Sequence, residues 1–170
     1  EARDKALSFL TQTQRNNFVL RVNPGSYEEE AELINHPKVK KIFLPKIEEV
    51  AAIELFLEET GAQNEIVVFI ESARGLININ DIAAQKSVTS IGLGEADLFS
   101  DVVLGEPPHP QLRNYARSKL IFACAAFAKS TPIAPMSPNF LDLEALRNEC
   151  IELRSMGYWG RACIHPAQIE

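Results

Sequence analysis

The sequence predicts an α/β protein built on a parallel sheet, and three observations predict it. Short apolar runs alternate with amphipathic helical stretches along the chain. Several runs are continuously apolar, such as Glu65-Ile-Val-Val-Phe-Ile-Glu71, as strands covered on both faces are. The connections are short, with Pro or Gly at most breaks. Periodicity leaves open whether such a sheet is open or closed into a barrel.

The opening Glu1-Ala-Arg-Asp-Lys-Ala-Leu-Ser-Phe-Leu reads as a helix already under way, with Ala6, Phe9 and Leu10 at helical spacing. Phe18 to Asn23 follows as a strand, stopped by Pro24-Gly25-Ser26. Ser26 is placed to cap an acidic helix whose first turn holds three glutamates, and His36-Pro37 ends that helix. Lys41 to Lys46 is the next strand. Val50 to Thr60 is an amphipathic helix terminated by Gly61. The strand ending at Glu71 leads to a short helix over Asn78 to Gln85, and a further run begins at Val88 and carries Asp97. Gln111 to Lys129 is a long helix. Thr131 to Met136 is a weak strand, demoted by Pro132 and Pro135. Asp142 to Met156 is a helix closed by Gly157, and Arg161 to His165 is a last strand stopped by Pro166. These make about six β/α units.

The chain has 170 residues, 46% hydrophobic and 24% charged, with a net charge of −6. That suits one domain over 1–170 with one core. The acidic balance argues against nucleic acid as a partner, since phosphate binding needs a basic surface. No apolar stretch reaches the roughly 18–20 residues of a membrane span, and no signal-like start is seen. Cys124, Cys150 and Cys163 are too few and scattered for a disulfide framework and form no C-x-x-C. They read as small buried hydrophobes of a cytoplasmic protein. The absence of an initiator Met and the helix under way at residue 1 suggest a fragment of a longer chain.

Glu71 and Asp97 each end an apolar run. The C-terminal ends of parallel strands are where ligands and chemistry collect, and two carboxylates there suit a hard cation such as Mg²⁺. The plain alternative is a pair of acids capping the helices that follow. Arg21 ends an apolar strand and either pairs with a structural carboxylate or binds an anionic substrate. Lys46 is a solvated strand terminus or a pocket residue. Arg113, Arg117 and Lys119 read as the solvated side of the long helix, opposite Leu112, Tyr115 and Leu120, with a cofactor phosphate as the lesser reading. Gly92-x-Gly94-x-x-Asp97 mimics a dinucleotide fingerprint. An acid in place of the third glycine would repel a pyrophosphate, which rules that reading out.

In order, the strand ends carry Arg21-Val-Asn23, Pro45-Lys46, Glu71-Ser72-Ala73, Gly94-x-x-Asp97-Leu98 and Gly157-Tyr-Trp-Gly160-Arg-Ala-Cys-Ile-His165-Pro166-Ala-Gln168. This series resembles the citrate lyase β-subunit-like branch of the HpcH/HpaI aldolase/citrate lyase family, over nearly the whole chain. The resemblance implies a TIM (β/α)₈ barrel with Mg²⁺ on Glu71 and Asp97 and the substrate carboxylate on Arg21. Lys46 is a pocket candidate, and Trp159, Arg161 and His165 are wall or thioester-side candidates, His165 being equally a structural histidine.

Three departures accompany it. The family's first two strands, with an acidic L-D-L-E-D stretch, and its C-terminal segment are missing from these 170 residues, so the barrel is expected to be incomplete; a typical one needs about 250 residues. Glu95 also lies two residues before Asp97, where many relatives place an acid immediately before it.

The implied activity is a Mg-dependent carbon–carbon lyase. It would cleave a citramalyl-CoA, malyl-CoA or citryl-type 3-hydroxyacyl thioester into a 2-keto acid and an acetyl-type thioester. Its partners would be an acyl-CoA or acyl-carrier thioester, the keto acid product and other copies of itself, as a trimer or hexamer. The rival readings are a malyl-CoA-type thioesterase, an aldolase acting on free hydroxy-keto acids, and a non-catalytic subunit of a lyase complex.

Overall fold

A computed structural model describes residues 1–102 and 108–169. The helix α1 (Ala2–Gln12) leads into β1 (Phe18–Arg21), α2 (Tyr27–Ile34), β2 (Val39–Leu44), α3 (Val50–Thr60) and β3 (Glu65–Ile70). Two short helices, α4 (Ala73–Ile77) and α5 (Ile79–Ala84), precede β4 (Val88–Leu93). Then come α6 (Glu95–Val102), α7 (Pro110–Ala126), β5 (Ile133–Ala134), α8 (Leu143–Met156), β6 (Gly160–Arg161) and a 3₁₀ turn over Pro166–Gln168.

All six strands are parallel, and their spatial order is their sequence order, β1 to β6. Right-handed crossovers between strands in sequential order put every helix on the same face of the sheet. That is the winding of a barrel rather than of a doubly wound sheet, and six strands form an incomplete TIM barrel of an eight-strand design.

The two faces of the strands divide accordingly. Ile42, Leu44, Ile66, Val68, Ile70, Ile91 and Leu93 are buried against the helices, joined by Ile53 and Phe56 of α3 and by Ile79 and Ile82 of α5. On the other face Phe43 packs on Phe69, with ring centroids 5.0 Å apart, and Lys41 pairs with Glu65 at 2.7 Å. Glycine is required on this face at β4, because a Cβ on Gly92 would lie 2.5 Å from the Phe69 ring. The first glycine of the Gly92-x-Gly94 pattern thus makes room for a neighbouring strand's aromatic ring.

Several expectations are corrected. Ser26 occupies the N-cap position of α2 but makes no side-chain cap. Glu30 instead turns back to accept the Asn23 backbone N–H (3.2 Å) and side-chain amide (3.3 Å). The helix expected over 78–85 starts earlier and is broken in two at Asn78, with Ser72 capping α4 through the Gly75 N–H. Asp97 is not on a strand: β4 stops at Leu93, and Glu95 and Asp97 fall in the first turn of α6, where the helix dipole favours acids. The last strand is two residues long, since Gln168 takes the Ile164 and His165 backbone N–H groups away from the ladder. The αL ends expected at Gly61 (φ 61°) and Gly157 (φ 112°) are present.

Candidate metal and substrate site

The strand ends of β1 to β4 are stitched beyond their regular ladders by Val22 N–H to Phe43 O (3.1 Å), Ile47 N–H to Phe69 O (3.2 Å) and Gly94 N–H to Ile70 O (2.9 Å). This brings four sequence-distant residues to one rim. Arg21 is the last residue of β1, Lys46 follows β2, Glu71 follows β3, and Asp97 stands in the first turn after β4.

Glu71 is the inner member, its side chain 10% exposed, and its Oε2 is buried with no hydrogen-bond donor. Arg21 approaches Oε1 only to 3.8 Å. Burial pushes the Glu71 carboxyl above its ordinary range and the Asp97 carboxylate adds to the push; Arg21, Lys46 and the Lys46 backbone amide pull it back. Asp97 is 59% exposed, with Lys46 Nζ 3.8 Å from its Oδ2. Both ion pairs are too long for hydrogen bonds, so neither carboxylate is committed to its cation.

Lys46 carries a left-handed backbone (φ 56°), which costs a non-glycine residue about 1–2 kcal/mol. It follows Pro45 at the bend that turns the chain over the end of β3. Gly94 is equally constrained, since a Cβ there would lie 2.6 Å from Glu71 Cγ. The glycine lets the Glu71 side chain lie flat across the end of β4.

An orphaned, buried carboxylate oxygen beside a second, solvent-facing carboxylate fits one side of a hard divalent cation, leaving its other positions to water or substrate. Among the described residues no group of three or more His, Cys, Asp or Glu converges on a metal position. Two carboxylates with open positions is the set available.

The remaining candidates lie elsewhere. Trp159 immediately precedes β6, at the N-terminal end of the sheet and opposite the Glu71 rim. It stacks under Arg154 at 4.3 Å and is 71% exposed, so it is not a wall of this site. Arg161 is turned into the helix layer, where its Nη2 lies 2.5 Å from Glu149 Oε2. His165 is at the correct end of the sheet but two strands beyond β4. It stacks on Phe140 (4.5 Å between centroids), its Nδ1 accepts the Ala167 N–H, and Gln168 donates to Ser137 O, so Ile-His-Pro-x-Gln closes the loops after β5 and β6.

The long helix turns a different face inward from the one its charges suggest. Tyr115 is exposed, whereas Arg117 is 2% exposed and packed inward. The signal was present, since Arg113, Arg117, Leu120 and Cys124 share a spacing of four, three and four along one helical face. Cys163 is exposed rather than buried.

The sequence profile of the HpcH/HpaI aldolase/citrate lyase family matches residues 1–166. The chain is 30% identical over 156 residues to a (3S)-malyl-CoA thioesterase of Cereibacter sphaeroides, covering 89% of this chain and 54% of that protein. It spans about half the length of the curated relatives it matches. RipC from Yersinia pestis shares the fold with a TM-score of 0.80 at 26% identity, over 99% of this chain and 77% of RipC. The citrate lyase beta subunit of Mycobacterium tuberculosis, complexed with oxaloacetate and magnesium, has a TM-score of 0.75 at 23% identity, over 90% of this chain and 69% of that one. The chain belongs to the HpcH/HpaI aldolase/citrate lyase family.

Proposed function

We propose that this chain carries the metal and substrate rim of a Mg²⁺-dependent carbon–carbon lyase acting on a 3-hydroxyacyl thioester of the citramalyl-CoA, malyl-CoA or citryl type. The observation that carries the reading is the Glu71 carboxylate, with its Oε2 buried and donorless, on the same rim as Asp97 and Arg21. The magnesium and oxaloacetate bound to the M. tuberculosis subunit are the ligand types this rim suits.

Glu71 and Asp97 would hold the cation. Bound there, Mg²⁺ supplies Lewis acidity and a template for a 2-keto acid. Arg21, 56% exposed at the mouth and not tightly paired, is free to hold the substrate carboxylate by charge-assisted hydrogen bonds. Lys46 adds a second cation above the same carboxylates, for the substrate's other anionic end. Cleavage removes the hydroxyl proton, breaks the C–C bond and releases a keto acid and a thioester enolate that is then protonated. We place this chemistry in the cytoplasm. We assign the 170 residues to one barrel of a longer chain, working as a homo-oligomer.

The thioesterase reading stays second because the C. sphaeroides relative is named for hydrolysis of malyl-CoA. The deciding experiment assays the intact protein with (S)-citramalyl-CoA and malyl-CoA, with Mg²⁺ and with EDTA, following keto acid and free thiol together. EDTA-sensitive keto acid without stoichiometric thiol supports the lyase. Thiol without keto acid makes the protein a thioesterase, and neither product points to a carrier-protein thioester as substrate or to a non-catalytic subunit of a lyase complex.

A further inference from the structure

Behind Asp97 lies a chain of buried ion pairs that links three helices. Arg117 of α7, its side chain 3% exposed, donates from Nε to Glu95 Oε1 (2.5 Å) and from Nη2 to Glu95 Oε2 (3.0 Å). The same Nη2 reaches Glu149 Oε1 on α8 at 3.2 Å, and Arg161 holds the other oxygen of Glu149. Arg113 Nε lies 3.7 Å from Glu95. Burial works against the Arg117 charge, yet the two carboxylates overcome it and hold the guanidinium above its ordinary value. Buried pairs of this kind seldom add stability over an apolar replacement, so their use here calls for another reason.

That reason is in the geometry of α6. Glu95 is its first residue and Asp97 its third. Two residues of an α-helix turn through about 200°, so their side chains leave the helix on nearly opposite sides. Glu95 reaches back into the helix layer, and Asp97 points to the rim, where its only close charged partner among the described residues is Lys46 at 3.8 Å. A bidentate guanidinium on Glu95 locks the rotation of the first turn of α6 about its axis, which sets the aim of Asp97 toward Glu71. We propose that Arg117 is a positioning residue that, through Glu95, holds Asp97 in the orientation needed for metal binding. This inference rests on the metal site described under the proposed function.

The test is calorimetric titration of Mg²⁺ into the intact protein and its variants, with thermal unfolding measured in parallel. Glu95→Gln should weaken Mg²⁺ binding by about tenfold or more, the usual effect of losing a group that orients a metal ligand. Glu149→Gln damages the same arginine from the side that does not reach α6. It should lower the unfolding midpoint comparably and keep Mg²⁺ affinity within about twofold of wild type. Arg117→Lys, which retains the charge but not the fork, should behave as Glu95→Gln and serves if that variant does not fold. Unchanged affinity in Glu95→Gln, or equal weakening in Glu95→Gln and Glu149→Gln, would overturn the positioning role. Asp97→Asn separates the two claims. If it binds Mg²⁺ as wild type does, the metal site itself is wrong and the inference falls with it.

Discussion

Gly94 stands where a side chain would collide with Glu71: a Cβ there would meet Glu71 Cγ at 2.6 Å, Oε1 at 3.1 Å and Cδ at 3.2 Å. Gly92, two residues earlier, stands in the same relation to the Phe69 ring at 2.5 Å. Gly94→Ala should therefore displace the carboxylate, and Gly92→Ala only the ring. Each should cost about 1–3 kcal/mol in denaturant unfolding, as overpacking does. Mg²⁺ titration should separate them, with affinity lost in Gly94→Ala and kept in Gly92→Ala. Equal metal binding in the two would show that Glu71 does not need the space.

Burial raises the Glu71 carboxyl above its ordinary range, and this sets a sign for stability against pH. The folded state keeps the Glu71 proton more tightly than the unfolded chain does, whose carboxyl titrates at about 4.3. Stability is therefore unaffected below that value and falls as pH rises through the raised range, where the buried oxygen becomes an unpaired charge. Glu71→Gln should remove the penalty. In EDTA at neutral pH the variant should be more stable by on the order of 1 kcal/mol, converging with wild type in acid, while losing Mg²⁺ binding. A variant less stable than wild type at neutral pH would mean the carboxylate is satisfied in the metal-free protein.

Arg21 and Asp97 should fail differently. Arg21→Met removes the cation assigned to the substrate carboxylate and should raise KM by about 10- to 100-fold with Mg²⁺ affinity largely kept. Asp97→Asn should lose Mg²⁺ binding and turnover with the fold intact by circular dichroism. If Arg21→Met kept its KM, the substrate carboxylate would have to be held by another cation.

The cysteines offer a check on packing that needs no substrate. Cys124 lies in the core, where burial pushes its thiol up to about 11, whereas Cys163 is exposed. Iodoacetamide at pH 8 should alkylate Cys163 first and Cys124 slower by on the order of 100-fold, read by peptide mass spectrometry. Comparable rates would mean that α7 does not cover β4 as described.

The strands and helices were legible from local pattern: continuous apolar runs marked β2, β3 and β4, and Gly61 and Gly157 marked helix ends through a left-handed backbone that glycine adopts freely. The motif series also named Arg21, Lys46, Glu71 and Asp97 at the right end of the sheet. Periodicity by itself could not choose between an open sheet and a barrel, because strand order is a property of crossovers and not of any window of residues; the barrel was legible only through the resemblance carried by the motif series. Nor could it tell Arg161, which binds Glu149 in the helix layer, from Arg21 at the rim, since a charge has no periodicity that names its partner. Asp97 passed for a strand residue because its first-turn helix follows β4 with only Gly94 between. The partners of Arg117 are Glu95, 22 residues away, and Glu149, 32 residues away. Only the packing of α6, α7 and α8 brings those charges together, and burial rather than sequence spacing decides which of them stay paired.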